Sequence, residues 1–251
     1  MKKLILFILL FPVLAWAGPG YMVYDSNAVP AAPFCTGGTL FCADFETQDM
    51  IDWDTISGGA EDCDGYDADG DWCDYEGTTV KNGSRSFGIR GSGGTYYFRE
   101  ALSSTATELY AELWFQTNSG ANSDYHILIF EDSSNKELVS VRKDADYGLN
   151  AACNGTTWDA GNGHILAETW VHIGLHYKEE TGAGNKDGIV RVWLETDGDG
   201  FEAGELLVNQ ATVDTLSADV AKIRLSGTAA NKICYRDDVK VTSGTPSWPT
   251  E

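Results

Sequence analysis

The chain has 251 residues, with 38 acidic side chains against 17 basic ones and a formal net charge of −21. A field of that sign repels phosphate backbones and anionic headgroups and gathers cations, which argues against nucleic acid as a partner. Its length suits one large domain with its own core.

The first residues read as an export signal. Lys2 and Lys3 precede an apolar run from Leu4 to Leu14, and Ala15-Trp16-Ala17 supplies the small-x-small pattern of a cleavage site. The run is 11 residues long, short of the ~20 that span a bilayer, so no membrane insertion is expected. Cleavage after Ala17 leaves 234 residues at a charge of −23, bound for the cell surface, periplasm or medium. Residues 18–34 contain Pro19, Pro30 and Pro33 among small residues and read as an extended tail. Residues 35–243 form the domain, and 244–251 a second tail.

Within the domain, period-two alternation predicts strands at 109–117, 125–131, 170–177, 189–195 and 233–241. Residues 48–56 and 213–221 have room for one short helical turn. Asn82-Gly83, Asn154-Gly155, Asp187-Gly188 and Asp197-Gly198 favour tight reversals. Many strands, glycine-rich turns and no strand–helix alternation predict an all-β, antiparallel two-sheet sandwich.

Cys35, Cys42, Cys63, Cys73, Cys153 and Cys234 all follow the signal, and an even count in an oxidising compartment implies bridges. Spacing favours Cys35–Cys42 and Cys63–Cys73, leaving Cys153–Cys234 as a long-range tie. Zinc ligation is disfavoured, since no Cys-x-x-Cys pair exists and no histidine stands at ligand spacing from a cysteine.

Residues 61–76 carry eight carboxylates and no basic side chain. Asp62, Asp64, Asp67, Asp69, Asp71 and Asp74 are candidate calcium ligands, because Asp-x-Asp-Gly spacing lets carboxylates converge where glycine permits a bend. A Cys63–Cys73 bridge would pre-close that loop. A hydrated acidic turn explains the same composition, and both readings stand.

Face assignment locates a ligand surface. Leu109, Ala111, Leu113 and Phe115 point one way, leaving Tyr110, Glu112, Trp114 and Gln116 on the other side. Val190, Val192 and Leu194 leave Arg191, Trp193 and Glu195; Val171, Ile173 and Leu175 leave Trp170, His172 and His176. Aromatic rings beside carboxylate and guanidinium groups suit sugars, whose C–H faces stack on rings while their hydroxyls hydrogen-bond. Tyr110, Glu112, Trp114, Arg191 and Trp193 are therefore the candidate glycan contacts. Trp170 and Trp193 also have a plainer reading, as core or sheet-edge residues. In the last strand, period two places Tyr235, Asp237, Val239 and Val241 on one face.

The order of Phe41-Cys-Ala-Asp44-Phe45-Glu46, Gly83-Ser-Arg-Ser-Phe-Gly-Ile89, Glu112-Leu-Trp114-Phe, Thr169-Trp170-Val-His172-Ile, Asp187-Gly-Ile-Val-Arg191-Val-Trp193-Leu and Ile233-Cys-Tyr235-Arg-Asp237-Asp238-Val239-Lys-Val241 resembles the concanavalin A-like lectin/glucanase superfamily, with laminin G-like jelly rolls among its members. The two ends resemble calcium-stabilised carbohydrate-binding modules. The likeness covers roughly 39–242 and implies a jelly roll with one concave sheet that holds sugars. It also implies a structural calcium shared by the first and last strands, for which Glu46 and Asp237 are the candidates; a backbone-capping aspartate is the alternative for Asp237.

Glu195-Thr-Asp197-Gly-Asp199 resembles the catalytic strand of retaining glucanases, but Asp199 replaces its final glutamate and glycine interrupts it. A lyase reading would take Tyr125 or His126 as base and Arg99 to neutralise a uronate, without the fuller lyase motifs. No catalytic residue is assigned. The leading expectation is an exported, calcium-stabilised glycan-binding domain. The alternatives are a polysaccharide-degrading enzyme of the same fold, or a structural subunit that self-associates through its terminal tails. Asn82-Gly-Ser84 and Asn154-Gly-Thr156 read either as glycosylation sequons or as plain turns.

Overall fold

The computed structural model describes residues 39–43, 45, 55–57, 72–90, 97–118, 124–198, 200–227, 233–244 and 246. The chain divides into Met1–Pro33 and Phe34–Glu251, and every described residue belongs to the second unit. The predicted signal and N-terminal tail, Cys35, Glu46, Cys63, Asp62, Asp64, Asp67, Asp69, Asp71 and Asp199 lie outside the described residues, as does the side chain of Asp74.

Strands appear where alternation predicts them. The first five are β1 Thr39–Ala43, β2 Thr55–Ser57, β3 Trp72–Glu76, β4 Ser86–Arg90 and β5 Tyr97–Ala106. Next come β6 Glu108–Thr117, β7 Tyr125–Glu131, β8 Glu137–Lys143, β9 Leu149–Cys153 and β10 Thr156–Asp159. The last are β11 Val171–Lys178, β12 Gly188–Glu195, β13 Leu206–Val213, β14 Val220–Ser226 and β15 Ile233–Thr242. The helical element among the described residues is a 3-10 turn at Ala203–Glu205, not at 213–221.

All pairings are antiparallel, in two sheets. The first runs β13-β12-β11-β6-β15-β4-β3 with β1 also on β15, and the second runs β10-β9-β8-β7-β14-β5-β2. The core between them takes the apolar faces read from sequence: Leu109, Leu113, Val190, Val192, Ile173 and Leu175 are buried and pack with Leu128, Phe130, Val139, Val141 and Ile223. Phe87 stacks on Phe45 at 5.2 Å and meets Phe98 edge-on at 5.0 Å, closing one end of that core.

β15 departs from simple alternation. Its first half pairs with β4 and its second half with β1, while β6 runs along its other side. Against β6, Asp237 faces Trp114 and Lys240 faces Glu112, so β15 spends one residue more than its partner. Asp238 takes the left-handed conformation, φ 47, that such a bulge uses. An inserted residue inverts the facing of everything beyond it. Tyr235 and Asp237 therefore share the outer face with Gln116 and Trp114, whereas Val239 and Val241 turn into the core, which corrects the single face predicted for all four.

Arg236, facing inward ahead of the bulge, is fully buried. Its guanidinium reaches across the sandwich to the carbonyls of Ile127, at 3.3 Å, and Ser226, and stands 5.6 Å from the Phe115 ring.

The long-range disulfide is also corrected. Cys153 and Cys234 are buried free thiols. Cys153 ends β9 in the second sheet, while Cys234 in the first sheet lies by Tyr125 of β7, with β8 between β9 and β7. Two strand spacings are roughly 10 Å, beyond the ~7 Å between Cα atoms that a bridge tolerates. Burial pushes the thiols up, to about 12 for Cys153 and about 11 for Cys234. Cys42 and Cys73 are disulfide-bonded; Cys35 and Cys63, assigned to them from spacing, lie outside the described residues.

Asn154-Gly155 forms the predicted β9–β10 reversal, with φ of 44 and 76. Asp187-Gly188 does not turn: Gly188 opens β12, where a Cβ would collide with the side chain of buried Thr215. Thr215 is fixed there, since its Oγ1 accepts the Glu180 amide at 2.7 Å and its carbonyl accepts the Tyr177 hydroxyl at 2.9 Å. Gly188→Ala should therefore overpack the site by about 1–3 kcal/mol. In a domain of this size that lowers Tm by about 2–12 °C, and an unchanged thermal unfolding curve would contradict the packing described.

Candidate functional site

The outer face of the first sheet is built from β12, β11, β6 and β15, whose registers bring the predicted ligand residues together. His172 faces Trp114 on one side and Glu195 on the other, and His176 faces Tyr110 and Arg191 in the same way. Because β11 supplies imidazoles between two strands that supply aromatics and acids, the rings stack in rows. Trp114 lies 4.5 Å from His172, which lies 4.3 Å from Phe201; Tyr110 lies 4.3 Å from His176.

Polar atoms tie these rows together. His172 Nε2 stands 3.7 Å from Glu112 and its Nδ1 3.3 Å from Glu195, while Lys240 stands 3.5 Å from Glu112. His176 meets Glu108 at 2.9 Å, and Arg191 donates to Asn209 at 3.0 Å. Burial raises the Glu112 carboxyl, with Asp238 adding to the shift and Lys240 opposing it. Burial, helped by the Lys81 ammonium, lowers His172 to about 4.

This layer is closed where sequence reading expects an open surface. Trp193 is 1% exposed and Tyr110 5%, so neither offers a ring to a sugar. Trp114 is half-buried, and Lys81 Nζ lies 3.7 Å above its ring in addition to the His172 stack. Glu112 and Arg191 keep partial exposure. Glu195 is fully buried at its strand end and accepts the Gly198 amide, whereas Asp197 is exposed in the turn, so they do not form a paired-carboxylate site. Tyr125 is an interior residue and Arg99 is held by Glu131, whereas His126, the other base of the lyase reading, is partly exposed and stands 3.8 Å from Glu137.

Asp237 caps backbone amides at the strand's bulge. Its Oδ2 accepts the backbone amides of Lys81 and Asn82, each at 3.1 Å, and its Oδ1 accepts the Asp238 amide at 3.0 Å. Burial, joined by the neighbouring Asp238, still raises the carboxyl to about 7 against those bonds. Asn82 Nδ2 donates to Asp238 at 2.6 Å. Among the described residues no group of three His, Cys, Asp or Glu is arranged to hold a metal ion.

The anchored 81–82 amides hold the preceding loop over the sheet, and a trough of about 410 Å³ opens beneath it, one residue pair beyond Trp114. Gln116, Asn118, Glu168, Trp170, Tyr235 and the loop residues Thr78 to Val80 line it. A Cβ at Gly88 on β4 would lie 3.4 Å from two carbons of the Tyr235 ring, in ordinary contact with it. Glu168, at φ 60, donates its amide to the Thr117 carbonyl at 2.7 Å, bringing the start of β11 against the end of β6. Asn118 Oδ1 is buried and has no hydrogen-bond partner among the described residues. Face assignment placed Gln116 and Trp170 on this side, while Asn118 and Glu168 lie in connections that period two does not reach.

No protein-family model and no curated protein matches the sequence. Solved structures do. The globular domain of T. cruzi calreticulin matches 82% of this chain and 89% of its own length at 10% identity, with a TM-score of 0.52. The VIP36 exoplasmic/lumenal domain in its Ca2+/Man3GlcNAc-bound form matches 71% of this chain and 86% of its own length at 7% identity, TM-score 0.46. A sialidase matches 65% of this chain at 9% identity, TM-score 0.48, and the chain spans only 16% of that protein. At such identities the likeness is one of fold: a two-sheet antiparallel β-sandwich in common with the calreticulin globular domain.

The His172 shift has a testable sign. A histidine lowered from its ordinary 6.5 stabilises the fold while neutral, so its contribution is complete above pH 6.5 and is lost as pH falls toward 4. Its Cε1 proton, assigned by His172→Gln, should titrate near pH 4, and a midpoint at 6.5 would contradict the burial described.

Proposed function

We propose that the chain is an exported glycan-binding protein that holds a sugar in the trough lined by Gln116, Asn118, Glu168, Trp170 and Tyr235. The carrying observation is the half-buried Trp170 ring beside amide and carboxylate groups around one cavity, with the buried Tyr235 in its wall, together with a buried Asn118 oxygen that has no donor among the described residues. A sugar's C–H face matches such a ring, and its hydroxyls donate to acceptors of that kind. A buried acceptor without a donor carries an unpaid desolvation cost, which an incoming hydroxyl would relieve. Export rests on the sequence of residues 1–17, and the jelly-roll fold is compatible with it.

A glycan array on the mature protein should return at least one neutral saccharide. Trp170→Ala should weaken that binding about tenfold while leaving the far-ultraviolet circular dichroism unchanged. An array without hits, or a variant that binds as tightly as the parent, would remove this reading.

Calcium belongs to the same proposal, with Asp62, Asp64, Asp67, Asp69, Asp71 and Asp74 as its loop ligands and Glu46 with Asp237 as a second pair. The support is the density of carboxylates at alternating positions. Chelation with EGTA should lower Tm, and Asp69→Asn combined with Asp71→Asn should abolish the calcium-dependent increment. A Tm indifferent to EGTA would end the metal proposal and leave the glycan proposal standing.

A further inference from the structure

The second sheet's outer face carries a run of alternating charge that the trough does not use. Fully buried Glu131 accepts Arg99 Nε at 2.5 Å and Nη2 at 3.1 Å, and Arg224 Nη1 stands 2.8 Å from it. Arg224 Nη2 then stands 3.6 Å from Glu137, which accepts Arg142 Nη2 at 2.6 Å. The Tyr97 ring lies 4.8 Å from the Arg99 guanidinium and 5.2 Å from that of Arg224. Three guanidinium groups against two carboxylates leave one positive charge in excess, and Arg142 ends the run at the solvent.

A cavity of about 420 Å³ opens there, lined by Lys136, Glu137, Arg142, Asn154, Gly155 and Thr157 among others. Lys136 adds a second cation. Arg142 spends Nε on Ser140 and Nη2 on Glu137, which leaves Nη1 without a partner among the described residues. Arg224 Nε is buried and also lacks one. His126 records the local field: burial, with the Arg142 charge next in importance, lowers it to about 4, so it adds no charge of its own at neutral pH. The lining carries Lys136 and Arg142 against Glu137, an excess of one positive charge, while the Asp214 and Glu180 charges reach Cys153 in the same lining; in a chain of net charge −21 the Lys136–Arg142 side of the cavity is where an anion is favoured.

We propose that this cavity, beside the β9–β10 reversal, binds a single oxyanion borne by a sugar, either a carboxylate or a sulfate ester, with Arg142 and Lys136 as its counter-charges. Arg142 offers the remaining edge of its guanidinium fork, and the amide of Asn154 and the hydroxyl of Thr157 stand beside it for the sugar's own hydroxyls.

The test titrates the mature protein with D-glucuronate, D-glucose 6-sulfate and D-glucose at constant ionic strength, followed calorimetrically and by amide chemical shifts. At least one charged sugar should bind and perturb the amides of Asn154 and Gly155, while glucose leaves them in place; which charged sugar binds identifies the oxyanion. Arg142→Gln and Lys136→Gln should each weaken binding about tenfold, and Trp170→Ala, in the trough, should leave it unchanged. Lys136 is exposed, so its variant answers the question even where Arg142→Gln disturbs the charge run. Equal binding of glucose at these amides, no binding of either anion, or indifference to Lys136→Gln would overturn the proposal.

Discussion

One extra residue in β15 carries much of this architecture. β15 is the strand on which β4, β1 and β6 meet, and its two halves obey opposite facing rules because Asp238 is inserted between them. Without the insertion, Val239 and Val241 would leave the core or Asp237 would enter it. The bulge satisfies both, and it turns Asp237 to the side where the Lys81 and Asn82 amides cap its carboxylate. Those amides fix the loop that roofs the trough, so the device that corrects strand register also shapes the candidate binding site.

The strands were readable because one face of each is apolar, and β6, β11 and β12 keep that alternation without interruption. What escaped reading involves events between elements. No residue type marks Asp238 as an insertion, since a left-handed aspartate looks in sequence like any other. Trp193 sits on the side that alternation assigns, but period two reports direction and not cover, so its burial was invisible. Asp187-Gly188 carries the composition of a turn, yet the glycine serves the close approach of Thr215. The Cys153–Cys234 pairing failed for a related reason: spacing orders residues along the chain but cannot say that two of them lie strands apart in facing sheets.

The two outer faces use different chemistry on a common frame. On the first sheet, imidazoles alternate with indole and phenol rings, and polar groups stitch the stack together; the trough opens where the strands end. On the second, guanidinium and carboxylate groups neutralise one another strand by strand until the last arginine faces a cavity. In both, the central strands are sealed by their own side chains, and accessible chemistry is displaced to the rim. Loops and strand ends therefore set what the sandwich can hold, as is usual where a rigid scaffold carries variable connections.

The two sealed sulfhydryls bear on how the chain must mature. Within the folded sandwich Cys153 and Cys234 stay protonated at neutral pH, and the thiolate is the species that exchanges. An unfolded chain gives them no such shelter: six exposed thiols admit about 15 complete pairings. In an oxidising compartment, acquisition of the native state becomes a race between sheet closure and covalent misconnection, and closure alone takes these two atoms out of it.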